Sequence, residues 1–271
     1  MRETVVDASE VNSEASYNGK RIELESNGNK LIGLLDKPEL EDGEKIPLVV
    51  IMHGITVSKD FELYKKISDE LLAQNVATLR FDFNGHGESD GEDYEMTVPK
   101  EIEDARNFYN YATGLDFVSD TLLLGHSQGG LVAGLLAGDL GSEKVPYLIQ
   151  MAPAAAAKDL PSIGIIAGKQ LFDPENPPEK VEFPNNFYVG KKYLETVGKL
   201  PVYETAEKYD GKVLLLQGLD DIIVDPSYAE KYNEAYSDSE FHLIDGETHD
   251  FSFKIDEALS YIITFINENG K

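Results

Sequence analysis

Short apolar runs alternate with amphipathic helical stretches along most of this chain, and this alternation restricts the fold more than any other feature. Residues 47–52 (PLVVIM) and 213–217 (VLLLQ) are apolar runs of the kind expected for strands that are buried on both faces. Residues 61–75 and 98–113 repeat apolar side chains at helical spacing. Strands that alternate with helices predict an α/β fold, with a mostly parallel sheet and helices on both of its faces.

These patterns predict eight strands and five helices. Two opening strands at residues 21–24 and 30–35 are separated by the turn-forming sequence SNGN at residues 26–29. Ligands bind at the carboxyl ends of the strands in such sheets, so functional residues are expected in the loops that follow strands. The later strands are predicted at residues 47–52, 77–81, 121–124, 147–151, 213–217 and 240–244, and the helices at residues 61–75, 98–113, 128–140, 226–236 and 254–269.

Residues 153–200 interrupt the alternation. They contain six prolines and several aromatic residues, but no clear strand–helix unit. A long irregular segment inside a compact domain is usually functional. We therefore predict an α/β core formed by residues 1–152 and 201–271, with residues 153–200 inserted as a small lid after the sixth strand. A packing excursion without function is the alternative.

The charge of the chain argues against two classes of partner. Its 50 Asp and Glu residues against 24 Lys and Arg give a formal net charge of -26, which repels nucleic acids and anionic membranes. The absence of cysteine excludes disulfides, thiolate nucleophiles and Cys-ligated zinc. Residues 1–17 lack the apolar centre of a signal peptide, and no apolar run approaches the ~18 residues that span a bilayer, so we expect a cytoplasmic protein.

A Gly-x-Ser-x-Gly pattern at residues 125–129 (GHSQG) indicates a nucleophilic serine. The pattern needs context, because residues 87–91 (GESDG) match it as well. Ser127 stands between a predicted strand and a predicted helix, as a nucleophile elbow requires, whereas Ser89 lies in a polar loop. Ser127 is therefore the predicted nucleophile, and an ordinary helix-capping serine is the alternative.

A serine hydroxyl needs a base, and the base needs a group that orients it. Among five histidines, His249 lies just after the last predicted strand, on the same sheet edge as Ser127, and is the predicted base. The acid should follow a strand and precede the histidine in the chain. Asp220 and Asp221 both do so; the turn pattern Gly-x-x-Asp-x-x-Val favours Asp221 and leaves Asp220 as the alternative.

An oxyanion that develops on the substrate must be stabilised by backbone N–H groups. Gln128, the residue after the nucleophile, is expected to supply one of them. The loop after the third strand, residues 53–55 (HGI), is expected to supply the other through Ile55. Both groups donate from the backbone, so the side chains are not restricted by this role.

These motifs resemble those of the α/β-hydrolase superfamily, and the resemblance runs from about residue 20 to the last residues of the chain. It rests on HG at residues 53–54, DFNGHGES at 82–89, GHSQG at 125–129, GLDDIIV at 218–224 and GETH at 246–249. Within the superfamily, the chain looks like the bacterial cinnamoyl (feruloyl) esterases. That narrower likeness rests on HGIT at residues 53–56 with KD at 59–60, APAA at 152–155 and LPVYE at 200–204.

The likeness to cinnamoyl esterases implies a serine carboxylic-ester hydrolase that releases ferulate, p-coumarate or caffeate from aromatic esters, with a plant cell-wall sugar as one candidate for the alcohol part. It implies that the lid receives the aromatic ring, and that an acidic residue and a tyrosine of the lid bind the ring hydroxyl. The matching positions are Asp159 and Tyr193, although Asp159 could cap a lid helix and Tyr193 could simply pack. No metal or organic cofactor is expected, and a homodimer is a further expectation.

Other functions stay open from the sequence. A short-chain carboxylesterase, a monoacylglycerol lipase or an acyltransferase would use the same three side chains, and non-catalytic binding proteins share this fold. A lipase would favour a broad aliphatic lid, whereas residues 153–200 mix Lys, Glu and Pro with aromatic residues. The presence of a suitable residue at each triad position favours an enzyme over a binding protein.

Overall fold

The structure is a computed structural model that describes residues 19–166, 169–170, 172–183 and 186–269. The expectations stated for residues 1–17 fall outside this part of the chain. Within it, every helix is too short or too polar to cross a lipid bilayer.

One central sheet holds eight of the described strands, in the order β1-β2-β4-β3-β5-β6-β11-β12. All eight predicted strands are confirmed, with small differences at their ends. From β4 to β12 the neighbouring strands pair in parallel, whereas β1 and β2 pair antiparallel at one edge. The described strands are β1 (Lys20–Ser26), β2 (Asn29–Asp36), β3 (Ile46–Met52), β4 (Ala77–Phe81), β5 (Val118–His126), β6 (Tyr147–Met151), β7 (Ile165–Ile166), β8 (Lys169–Gln170), β9 (Lys180–Phe183), β10 (Phe187–Gly190), β11 (Lys212–Gly218) and β12 (Ser239–Ile244).

All five predicted helices are present and flank the sheet. The helix Val98–Thr113 has a side-chain cap at its N-terminus: the Thr97 hydroxyl accepts a hydrogen bond from the backbone N–H of Lys100, and Pro99 lies in the first turn. The described helices are α1 (Glu62–Ala73), α2 (Val98–Thr113), α3 (Gln128–Leu140), α4 (Ala156–Asp159), α5 (Lys191–Val197), α6 (Val202–Ala206), α7 (Ser227–Ala235) and α8 (Ile255–Asn269).

Two apolar layers enclose the sheet. Alternate side chains of β3 point to opposite faces, and both sets are buried. One set packs with the apolar faces of α2 and α3, and the other packs with those of α1 and α8. Burial on both faces explains why the central strands are apolar throughout rather than alternating, and it fixes the carboxyl ends of the strands as one rigid edge.

Residues 153–200 lie outside the central sheet. Their described part forms short helices and two antiparallel strand pairs, β7 with β8 and β9 with β10. The second pair packs on the short 3-10 turn Asp93–Glu95, where the Asp93 carboxylate accepts a hydrogen bond from the backbone N–H of Tyr188 at 2.7 Å. These elements are too short to produce a clear periodic pattern in the sequence, which is why the segment looked irregular.

Candidate active site

Ser127 lies at the sharp turn between β5 and α3. Its backbone has φ 55° and ψ −121°, a conformation that non-glycine residues adopt only where the surroundings enforce it. The glycines on either side make the turn sterically feasible. A Cβ at Gly125 would lie 2.1 Å from the carbonyl oxygen of Gly129, and one at Gly129 would lie 2.3 Å from that of Met52. The turn therefore holds the serine side chain out at the carboxyl edge of the sheet.

The structure brings the three predicted triad side chains together. His249 Nδ1 lies 2.8 Å from Asp221 Oδ2, and His249 Nε2 lies 2.8 Å from Ser127 Oγ. Because the Asp221 carboxylate can only accept, Nδ1 carries the proton and donates it to Asp221. Nε2 is then the free acceptor for the Ser127 hydroxyl proton, as general-base activation of the serine requires.

Asp221 is buried and strongly hydrogen-bonded. Its Oδ1 accepts from the backbone N–H groups of Ile223 (2.8 Å) and Val224 (2.9 Å), and its Oδ2 also accepts from Gln217 Nε2 (2.9 Å). Burial raises the pKa of Asp221, but the hydrogen bonds and the charge of His249 outweigh it, so that the pKa lies below its ordinary value. The alternative acid, Asp220, is exposed and does not contact the histidine.

Glu247 positions the loop that carries His249. The carboxylate is fully buried, and it accepts hydrogen bonds from the backbone N–H groups of Thr248 (2.7 Å), Phe253 (3.3 Å) and Lys254 (2.6 Å). Sequence reasoning gave this residue no role, because a single glutamate in a glycine-containing turn does not reveal that it is buried. The Glu247 carboxylate thus satisfies backbone N–H groups that regular secondary structure would otherwise satisfy.

A buried chain of hydrogen bonds connects the histidine loop to the loop after β3. His126 Nε2 lies 2.8 Å from the carbonyl oxygen of His249, so this nitrogen carries the proton. Its Nδ1 accepts from the Tyr64 hydroxyl at 2.9 Å, and that hydroxyl accepts from the backbone N–H of Gly54 at 2.9 Å. Burial lowers the pKa of His126 to about 3, so the ring is neutral and the direction of each bond is fixed.

The predicted oxyanion donors lie beside the serine. Ile55 and Gln128 both line the cavity above Ser127, and neither backbone N–H has an acceptor among the described residues. A Cβ at Gly54 would lie 3.1 Å from Ser127 Cβ, which shows how closely the loop after β3 approaches the nucleophile. His53 holds this loop, since its ring bonds to the carbonyl oxygen of Gly54 (2.7 Å).

Tyr193 and the Gln128 side chain form a second buried network in the cavity wall. The Tyr193 hydroxyl donates to Gln128 Oε1 at 2.8 Å, and Gln128 Nε2 donates to both carboxyl oxygens of Glu101 at 2.9 Å. Burial raises the pKa of Glu101 well above its ordinary value. Sequence reasoning did not identify Glu101, which sits among other charged residues on α2 and shows no sign of being buried.

A mainly apolar cavity of about 340 Å³ opens above the triad. This volume lies at the lower end of the range for sites that enclose small organic ligands, roughly 300–1,000 Å³. The described part of residues 153–200 forms much of its wall, and the turn at Ser127 and the loops after β3, β11 and β12 form the rest. Its larger apolar side chains are Ile55, Val57, Phe61, Leu160, Ile165, Ile166, Phe183, Ile223 and Val224.

Two residues that the sequence analysis considered, the predicted ligand Asp159 and the rejected serine Ser89, are not among the residues that line the cavity. Asp159 is exposed at the end of α4 and is not among the residues that line the cavity. Ser89, the serine of the competing motif, donates to the carbonyl oxygen of Asp82 (2.7 Å) and accepts from the backbone N–H of Ile32 (2.9 Å). Ser89 therefore stabilises the loop after β4, as its polar surroundings in the sequence suggested.

The described residues contain no cluster of His, Asp and Glu side chains that could hold a metal ion. The hydrogen-bonded series Ser127–His249–Asp221 can perform nucleophilic attack by an activated serine on a carbonyl carbon, with two N–H groups for the oxyanion.

The chain is similar to known hydrolases and esterases. A sequence-family model described as serine aminopeptidase, S33, matches residues 43–173. The structure of Est1E from Butyrivibrio proteoclasticus with ferulic acid bound has a TM-score of 0.86 and 30% sequence identity, and the match covers 91% of this chain and 98% of that one. A second Est1E structure has a TM-score of 0.82 and 28% identity, covering 92% of this chain and 98% of that one.

More distant structures share the fold alone. The esterase Pf2001 from Pyrococcus furiosus is 19% identical with a TM-score of 0.69, and the match covers 93% of each chain. No curated protein sequence matches the chain significantly. The predicted fold class is confirmed, and the chain belongs to the α/β-hydrolase superfamily, in the family that includes Est1E.

Proposed function

We propose that this hydrolase is a serine esterase that cleaves esters of hydroxycinnamic acids. The observation that carries the proposal is the hydrogen-bonded series Ser127–His249–Asp221 at the base of an apolar cavity of about 340 Å³. A soluble binding protein would have no need for a strained serine, a polarised histidine and a buried carboxylate in this order.

In the first half of the reaction, His249 Nε2 takes the hydroxyl proton as Ser127 Oγ attacks the ester carbonyl carbon. The backbone N–H groups of Ile55 and Gln128 stabilise the resulting oxyanion. When the intermediate collapses, the bond to the alcohol oxygen breaks and His249 returns its proton to that oxygen. The alcohol leaves, and the acyl group remains on Ser127.

In the second half, water replaces the alcohol. His249 takes a proton from the water, the hydroxide attacks the acyl carbon, and the bond to Ser127 Oγ breaks as the histidine returns the proton to the serine. The acid is released. Asp221 holds the imidazole in the required tautomer and stabilises the imidazolium at each stage, and its lowered pKa keeps it ionised.

The shape and lining of the cavity favour an aromatic acyl group. Phe61 and Phe183 are among its apolar side chains, and Tyr193 is the one lining residue with a polar side chain in the described part of residues 153–200. A ring hydroxyl of the substrate could donate to the Tyr193 oxygen, which itself donates to Gln128. Est1E, at 30% identity, has been crystallised with ferulic acid, which supports the same class of acid here.

We further propose that residues 153–200 act as a lid over the α/β core formed by residues 1–152 and 201–271. The support is that side chains of this segment, including Leu160, Ile165 and Phe183, cover the apolar side of the cavity. Asp159, which the resemblance assigned to the ring hydroxyl, is exposed outside the cavity lining, so Tyr193 is the better supported partner for that hydroxyl.

Steady-state kcat/KM on methyl ferulate beside p-nitrophenyl butyrate tests the proposal. We expect methyl ferulate to be hydrolysed at least as efficiently as the butyrate ester, since the cavity offers aromatic side chains and a hydroxyl to its ring. Hydrolysis of the butyrate alone would keep the esterase mechanism but would assign the protein to the general short-chain carboxylesterases.

Two serine variants test the mechanism. Ser127→Ala should lose several orders of magnitude in kcat and all labelling by a fluorophosphonate probe, with the fold intact. Ser89→Ala is the matched control, because Ser89 belongs to the second Gly-x-Ser-x-Gly pattern and bonds only to the backbone of the β2 and β4 region. Loss of less than about tenfold in the Ser127 variant would refute Ser127 as the nucleophile, whereas a parent protein that the probe does not label would favour a non-catalytic binding role.

A further inference from the structure

Asp250 places a negative charge in the wall of the cavity. It follows His249 directly in the chain, lines the cavity and is exposed. It is the one carboxylate among the described residues of the lining, whose other ionisable side chains are His126, His249 and Tyr193 and which include no Lys or Arg. No described Lys or Arg lies within ion-pair distance of its carboxylate.

The two loops on this side of the cavity have the same sign of charge. The acid loop (residues 218–225) and the histidine loop (residues 245–254) contain one lysine, Lys254, and six acidic residues. The chain as a whole has a formal net charge of -26. The acidic residues of the two loops are Asp220, Asp221, Asp225, Asp245, Glu247 and Asp250.

The alcohol part of an ester must lie on this side of the cavity. His249 Nε2 has to reach the alcohol oxygen to protonate it as it leaves. In the proposed reaction, Ile55 and Gln128 hold the carbonyl oxygen, and Tyr193 holds the acyl group. Asp250 is the residue after His249 and lines the same cavity, so its charge is close to the position that the proposed reaction gives to the leaving alcohol.

We infer that Asp250 makes the enzyme selective for esters whose alcohol part carries no negative charge. The inference rests on the proposed ester hydrolysis and adds the class of alcohol to it. Two like charges about 6 Å apart near a solvent-exposed surface change a rate constant by about threefold to tenfold. A carboxylate in the alcohol part should therefore lower kcat/KM by that factor, whereas esters of neutral polyols or sugars should show no such decrease.

A matched pair of butyrate esters isolates this charge. 4-Butyryloxybenzoate and its methyl ester share the acyl group and the aromatic ring, and differ in whether the alcohol part is anionic at neutral pH. Release of the phenol is monitored for each ester, and the measured quantity is the ratio of kcat/KM for the neutral ester to kcat/KM for the anionic ester. In Asp250→Asn, we expect this ratio to fall by about threefold to tenfold relative to the parent protein.

Two variants complete the experiment. Asp245→Asn removes the same charge from an exposed position of the histidine loop that does not line the cavity, so its ratio should stay within twofold of the parent. Asp250→Glu keeps the charge and should keep the selectivity. Added salt should lower the ratio in the parent protein and hardly change it in Asp250→Asn, because counter-ions screen an exposed charge.

The outcomes separate this inference from the proposed function. An unchanged ratio in Asp250→Asn, or an equal fall in Asp245→Asn, would overturn the role of Asp250 while leaving the esterase intact. A parent protein that hydrolyses neither the neutral butyrate ester nor p-nitrophenyl butyrate would overturn the proposed esterase function, and the selectivity with it.

Discussion

Replacing Asp221 by asparagine should disable the base while leaving the shape of the site nearly unchanged. The carboxylate accepts four hydrogen bonds: Oδ2 from His249 and Gln217, and Oδ1 from the backbone N–H groups of Ile223 and Val224. An amide has one accepting oxygen and one donating nitrogen. In either orientation, the amide nitrogen must face two groups that also donate.

The catalytic cost follows from the orientation that keeps the two backbone bonds. The amide nitrogen then faces His249 Nδ1, which must give up its proton and accept instead. The other ring nitrogen becomes protonated and can only donate toward Ser127, so the serine has no base. Loss of the correct tautomer costs a factor of about 10⁴ in kcat, which is about 5 kcal/mol of transition-state stabilisation. The mispaired donor adds about 1–3 kcal/mol of destabilisation of the fold.

The measurement is kcat for p-nitrophenyl butyrate together with urea unfolding of Asp221→Asn. Asp220→Asn is the matched control, because it removes the same charge from the adjacent, exposed position. We expect the control to keep its kcat within about threefold. A loss below tenfold in Asp221→Asn, or an equal loss in the control, would show that His249 does not depend on Asp221 for its tautomer.

Three further predictions concern residues that support the site. Tyr64→Phe breaks the buried hydrogen-bond chain between the two catalytic loops, so kcat should fall by about ten- to a hundredfold with KM little changed; unchanged steady-state kinetics would contradict the role of that chain. Gly125→Ala puts a Cβ against rigid backbone and should unfold or inactivate the protein. In the control Gly114→Ala, the new Cβ lies 3.5 Å from its nearest neighbour, the carbonyl oxygen of Tyr111, and the unfolding free energy should change by less than about 1 kcal/mol. Equal unfolding midpoints for the two variants would refute this prediction. Burial raises the pKa of Glu101, so the folded state binds its proton more tightly, and the unfolding free energy should fall as pH rises from about 4.3 through the raised pKa. In urea titrations at several pH values, Glu101→Gln should remove this part of the dependence of the unfolding free energy on pH. An unchanged pH dependence would contradict the prediction.

The sequence determined the fold and pointed to the three side chains that the structure brings together, because both leave local patterns. Strands buried on two faces are continuously apolar, and the helices between them have apolar residues at helical spacing, so all eight sheet strands and the five flanking helices could be predicted. Ser89 has glycines at the same spacing, and Ser127 was distinguished from it by the predicted strand before it and the predicted helix after it. The loops after strands had to meet at one edge of a parallel sheet, which selected His249.

Only the tertiary structure could decide which polar side chains are buried and what they touch. Glu101 and Glu247 resemble surface residues in the sequence, whereas Tyr64 resembles an ordinary core residue on the apolar face of a helix. The roles of all three depend on partners that lie far away in the chain or on backbone groups of an irregular loop. Asp159 shows the opposite case: its position relative to the lid motifs suggested a ligand contact, but a short helix leaves it exposed outside the cavity. Periodic patterns report regular structure, whereas the contacts of a single side chain depend on how distant segments pack, and one residue carries no periodic signal of that packing.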